Sequence, residues 1–204
     1  MKDTPRTFQL TTGRLVVLLA IALLVSGCTR TQPVSYYQLS AVDSGRPAID
    51  TSAIGEAVIG IGPLLLPEYL DRPQIVNREG PNLMQLAETN RWAEPLAVSI
   101  PRAMRENLAA ALATESIVYY PWSQAVDYQI IIEIIRFEGE ESREAHLEAV
   151  WSMQDREGNI VLPQQRSKYQ VRATPADSEG LVQALSQALG RLSREIAEKL
   201  SEKR

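Results

Sequence analysis

The residues with the widest chemical reach are Glu144, His146 and Glu148, which alternate with apolar neighbours and would point the same way along a strand. An imidazole between two carboxylates suits a zinc ion or acid–base work. Arg166, Lys168 and Arg172 recur at the same spacing downstream, however, and cross-strand ion pairs account for the acids without a metal. A second stretch, Glu138-Gly-Glu-Glu-Ser-Arg-Glu144, has carboxylates enough for glycoside cleavage, but a hairpin tip does not hold two acids at a fixed separation. Gly60-Ile-Gly62 follows an apolar run as in dinucleotide folds. Its third glycine is missing, and Pro63 stands where a phosphate-binding turn would continue. No serine lies in a Gly-x-Ser-x-Gly elbow, and a single His cannot supply a two-His metal site. The expectation is a chain without catalytic residues, metal or dissociable cofactor.

Cys28 is the exception, because its chemistry is set by what precedes it. Lys2, Arg6 and Arg14 lead into an uninterrupted apolar run over residues 15–25. That run is too short for a bilayer-spanning helix, which takes roughly 20 residues, and fits an export signal. Val25-Ser26-Gly27-Cys28 then resembles the lipobox of bacterial lipoproteins, with the only Cys of the chain at its last position. The resemblance implies a signal peptide over 1–27, cleavage before Cys28, and acylation of its thiol and new amino group with chains of the palmitate kind. Two or more acyl chains hold a protein stably on a membrane at about 0.8 kcal/mol per buried methylene. Thr29 stands where an Asp would imply inner-membrane retention, so the expected address is the periplasmic face of the outer membrane.

Composition sets the remaining bounds. The 204 residues are 45% apolar and 23% charged, which suits one globular core. With 21 basic and 25 acidic residues the chain lacks the basic footprint of a nucleic-acid binder. Without residues 1–27 it has 18 basic against 24 acidic residues, a formal charge of −6. Residues 28–35 read as a lipidated tether whose seven-residue link reaches at most ~25 Å. Residues 36–204 read as a single domain.

The elements that must build that domain are legible from periodicity. Tyr36-Tyr-Gln-Leu39 is a short strand, and the run 57–63 is a strand whose glycines admit close approach of another backbone. Residues 74–78 and 83–86 flank Glu79-Gly-Pro-Asn82 as a hairpin. Trp92, Leu96, Ile100, Met104, Leu108 and Leu112 recur every four residues along a helix, which Pro101 kinks or delays to about Ser99. Residues 128–137, 144–153 and 164–172 form a three-strand meander, the first apolar on both faces and the second wet on its outer one. A last helix, capped by Thr174 with Pro175 in its first position, carries the stripe Leu181, Leu185, Ala188, Leu189, Leu192, Ile196 and Leu200. The expected fold is α+β, a two-layer sandwich of a mostly antiparallel sheet with two long helices packed on one face.

Residues 63–73, rich in Pro and Leu, read as a shaped loop whose Leu65 and Tyr69, with Trp92, close the open edge of the core or form a contact surface. Several motifs together resemble the PqiC (YmbA-like) family of lipoproteins. They are Tyr36-Tyr37-Gln-Leu39, Gly60-Ile-Gly-Pro63, Pro67-Glu-Tyr-Leu-Asp-Arg-Pro73, Arg91-Trp-Ala-Glu-Pro-Leu96, Glu106-Asn-Leu108 and the hairpin from Phe137 to Trp151. The family implies an auxiliary component of an MCE-type, ABC-transporter-linked intermembrane lipid transport system. Such a component would dock a periplasm-spanning MCE-domain protein at the outer membrane and support envelope integrity, with self-association into a ring possible. Residue type and motif membership then single out Leu65, Tyr69, Arg72, Arg91 and Trp92 as the candidate partner-binding residues. The alternative is a periplasmic lipid carrier with an apolar cavity between helices and sheet.

Overall fold

The computed structural model describes residues 32–42, 45, 47–52, 54–140 and 143–202. In chain order the described elements are β1 (Ser35–Tyr37), β2 (Ile59–Leu65), a 3-10 turn (Glu68–Leu70), β3 (Gln74–Glu79), β4 (Leu83–Trp92) and α1 (Leu96–Leu112). They continue with β5 (Ile117–Tyr119), β6 (Tyr128–Glu140), β7 (Glu144–Asp155), β8 (Ile160–Arg172) and α2 (Ser178–Ser201).

The β-branched run of β6 makes it the spine of an eight-stranded mixed sheet. One edge of β6 pairs with β7 along nearly its whole length, and β7 with β8, both antiparallel, which is the expected meander. The other edge is shared. β2 pairs in parallel with Tyr128 to Glu133, and β3 pairs in parallel with Gly139 and Glu140. β5 extends the sheet beyond β2, while β4 and then β1 extend it beyond β3. The two longest ladders are antiparallel and the short ones beside β6 are parallel, so the architecture is the expected α+β sheet with two helices.

Helix α1 lies against β2 and β5, α2 lies against β7 and β8, and the helices pack on each other. Ile130, Ile132, Ile134 and Phe137 of β6 and Leu147, Trp151 and Met153 of β7 meet Leu185, Leu189, Leu192 and Ile196 of α2 in one core. Trp151 brings a polar atom into it and satisfies that atom by donating Nε1–H to Ser167 Oγ at 2.9 Å. Gly139 lies where β3, β6 and α2 converge, and a Cβ there would displace the tips of the Asn77 and Leu181 side chains.

Four expectations are corrected. Helix α1 starts at Leu96, with Pro95 as its N-cap and Pro101 buried inside it, so the proline does not delay the helix to Ser99. Trp92 is the last residue of β4, not a member of the helical stripe: the four-residue spacing continued by accident across the strand–helix junction. Helix α2 starts later than Thr174 and Pro175. Asp177 is its cap, accepting a hydrogen bond from Gly180 N–H at 2.9 Å. β2 continues through Pro63 to Leu65, so the loop is confined to residues 66–73, which include the 3-10 turn.

Candidate docking surface

Side chains alternate across a strand, so the residues between the core positions of β6, β7 and β8 form the face turned away from the helices. The sequence leads one to expect the β7 side chains of that face to be wet, yet His146 and Glu148 are buried, and Glu138 of β6 has no exposed surface. Long basic side chains from neighbouring strands fold over the acids. Glu138 Oε1 accepts from Arg78 Nε and, at 3.0 Å, from Arg136 Nε, while Arg136 Nη2 also donates to Glu140 at 2.6 Å. Glu148 accepts from Arg166 Nε at 2.6 Å, with Lys168 Nζ 3.2 Å away.

These partners set the acidity of the group. Arg136 holds the Glu140 carboxyl below the ordinary carboxylate range. Burial opposes ionisation of Glu148, but Arg166 and Lys168 outweigh it and hold that carboxyl low as well. His146 Nε2 lies 3.1 Å from Glu140 Oε2 and 3.9 Å from Glu144, while Nδ1 is 3.3 Å from Gln170 Nε2. The three residues first singled out for chemistry are therefore members of a charge ladder that staples β3, β6, β7 and β8. Among the described residues, no cluster of three or more His, Cys, Asp or Glu has the geometry to hold a metal ion.

The candidate partner-binding residues separate into two sets. Leu65 is 55% exposed at the end of β2, beside Glu133 in register. Three residues later comes the 3-10 turn, which plugs Leu70 into the core and leaves Tyr69 half-buried, its hydroxyl donating to the Ile135 carbonyl at 3.2 Å. Burial, then the neighbouring Glu138 carboxylate, pushes the Tyr69 phenol well above its ordinary value. Arg72 and Arg91 are half-buried and come from adjacent segments, since Gln74 is the register partner of Arg91. Trp92 is on the other face. It is 5% exposed and stacks at a tilt on Phe137, with ring centroids 6.4 Å apart, so as a contact residue it is corrected to a core residue.

Sequence reasoning missed the Arg78–Glu138–Arg136 cluster, whose signal is the alternation Arg136, Glu138, Glu140 along an otherwise apolar strand. It also missed Tyr120 and Trp122, whose rings meet edge to face at 5.5 Å, with Trp122 lying over Gly60. What closes on the glycines of β2 is therefore side chain, the Trp122 ring over Gly60 and Tyr120 Cβ against Gly62, where the sequence led one to expect another backbone. Cys28 lies outside the described residues. No helix among the described residues is long and apolar enough to cross a membrane.

The chain is 23% identical over 141 residues to the intermembrane transport lipoprotein PqiC of Escherichia coli, covering 69% of this chain and 73% of that one. A solved structure of an uncharacterized protein superposes with a TM-score of 0.69 at 18% identity, covering 83% of this chain and 99% of the other. A Xanthomonas campestris protein does so with a TM-score of 0.66 at 15% identity, covering 80% and 93%. These two likenesses establish the shared fold. The model of a family described as the ABC-type transport auxiliary lipoprotein component matches residues 37–197, nearly all of the folded body, and the chain belongs to that family.

Proposed function

We propose that this protein is a non-catalytic outer-membrane lipoprotein, held by acyl chains on Cys28, that docks an MCE-domain protein of an ABC-linked intermembrane lipid transport system. The observation that carries the reading is the family match over residues 37–197 immediately downstream of a lipobox. The relative's name, an intermembrane transport lipoprotein, supports the same class of work. So does the charge ladder, whose acids and bases neutralise one another. Such a body would position a partner on a short leash.

The docking surface proposed is the exposed Leu65 with the adjoining turn that carries Tyr69, and not Trp92, whose ring is spent on the core. The test is capture of the MCE-domain protein from the native host's membranes by the tagged full chain. Leu65→Asp and Tyr69→Phe variants that retain the wild-type melting temperature are compared with it. Leu65→Asp should reduce capture about tenfold or more, as loss of an interface anchor does. Undiminished capture by Leu65→Asp would exclude this surface, and failure of the wild-type chain to capture any MCE-domain protein would overturn the reading itself.

A further inference from the structure

Two guanidiniums stand apart from the ion-pair ladder. Every described basic side chain that is not solvent-exposed has a carboxylate partner among the described residues, except Arg72 and Arg91. The Nε atom of each is buried and has no hydrogen-bond partner. A buried charged donor without an acceptor is costly, and in a body with an excess of acids the omission of a partner is selective.

The two arginines occupy one corner of the sheet. Trp92 N–H donates to the Pro73 carbonyl at 2.6 Å, and Gln74 is in register with Arg91, so the bend that carries Arg72 enters β3 beside the end of β4 that carries Arg91. Arg91 is also in register with Tyr36 of β1, whose ring is 65% exposed. β1 is the first described strand, and in sequence only seven residues separate Tyr36 from Cys28.

We propose that Arg72, Arg91 and Tyr36 form a site for the phosphate of a membrane phospholipid headgroup, turning the β1 corner of the tethered body toward the bilayer. The proposal rests on the reading of Cys28 as a lipid anchor. The guanidinium fork matches two phosphate oxygens, and a tyrosine ring is at home at headgroup depth. A tether converts a weak contact into an intramolecular one, so two arginines suffice. A carboxylate of a protein partner would fit the same fork. The position at the root of the tether, where headgroups are continuously within reach, favours the lipid.

The experiment uses the full chain, purified with its native modification and reconstituted into vesicles of phosphatidylethanolamine and phosphatidylglycerol that contain a phosphatidylcholine with a nitroxide on its headgroup. A fluorophore is attached at Ala93→Cys, an exposed position beside the two arginines, and in a second preparation at Glu157→Cys, in the exposed turn between β7 and β8. With Cys28 in thioether linkage, the introduced thiol is the only one in the chain. The label at residue 93 should be quenched at least threefold more than that at 157. The paired substitutions Arg72→Ala and Arg91→Ala should abolish the difference, and Arg72→Lys with Arg91→Lys should recover part of it. Equal quenching at both positions, or quenching indifferent to the alanine pair, on protein that floats with the vesicles would overturn the headgroup site while leaving the anchor intact. The same holds if the arginines matter only for capture of the MCE-domain protein. Protein that fails to float, or that labels at a second thiol, would remove the anchor and this proposal with it.

Discussion

Replacing Glu138 by Gln should destabilise the protein by about 2–3 kcal/mol. The side chain has no exposed surface and accepts from Arg78 and Arg136 through one oxygen. Hydrogen bonds to charged groups contribute about 1.5–3 kcal/mol each, and breaking a buried pair leaves the other charge uncompensated. Two structural facts lower the sum. The guanidinium side chains keep 18% and 25% of their surface in water, and Arg136 retains Glu140 at 2.6 Å. For a domain of this size the loss corresponds to a fall of about 5–10 °C in melting temperature. Thermal and urea unfolding at neutral pH read the change, and a double-mutant cycle with Arg78→Met should return a coupling of about 1–2 kcal/mol. A loss below about 0.5 kcal/mol, with no coupling, would refute the claim that these charges staple β3 to β6.

Other consequences follow from the same packing. Tyr69 and Tyr169 both have phenols pushed up by burial and then by the Glu138 and Glu195 carboxylates respectively. An unfolded tyrosine loses its proton near pH 10 while the folded ones keep theirs, so stability falls as pH rises beyond that point. Urea midpoints between about pH 10 and 12 should decline less steeply in the Tyr69→Phe, Tyr169→Phe double variant. Trp92→Ala should cost about 3–5 kcal/mol by chemical denaturation, as a core cavity does. Val at position 62 should cost at least about 2 kcal/mol, because Gly62 has φ +119° and a Cβ there would lie 2.8 Å from Tyr120 Cβ.

Much of this fold was legible because its strongest signals are local. The β-branched run of β6, the alternation of β7 and the stripe of α2 each dictate an element, and the turn chemistry between them dictates the meander. What local pattern could not reveal was pairing at a distance. The parallel pairing of β2 and β3 with the same edge of β6 has no sequence signature, and it is this pairing that brings Arg78 onto Glu138. The basic partners of Glu148 were legible in the meander, since Arg166 and Lys168 recur at the matching spacing, but the burial of Glu148 and His146 beneath their neighbours was not. Trp92 shows a different failure. A spacing of four residues is helical only where the backbone is helical, and Pro95 marks where that begins. Of the candidate contact residues, the structure leaves Leu65 exposed and buries Trp92, which amino-acid type could not separate, and the missing partners of Arg72 and Arg91 became visible only in three dimensions.

The lipid anchor underlies both the proposed docking role and the headgroup site, and intact mass spectrometry of the protein extracted from its native host's membranes tests it directly. The account predicts a polypeptide that begins at residue 28 and carries the added mass of a diacylglyceryl thioether and an amide-linked acyl chain. A chain recovered in the soluble fraction with residue 28 as an unmodified thiol would contradict it.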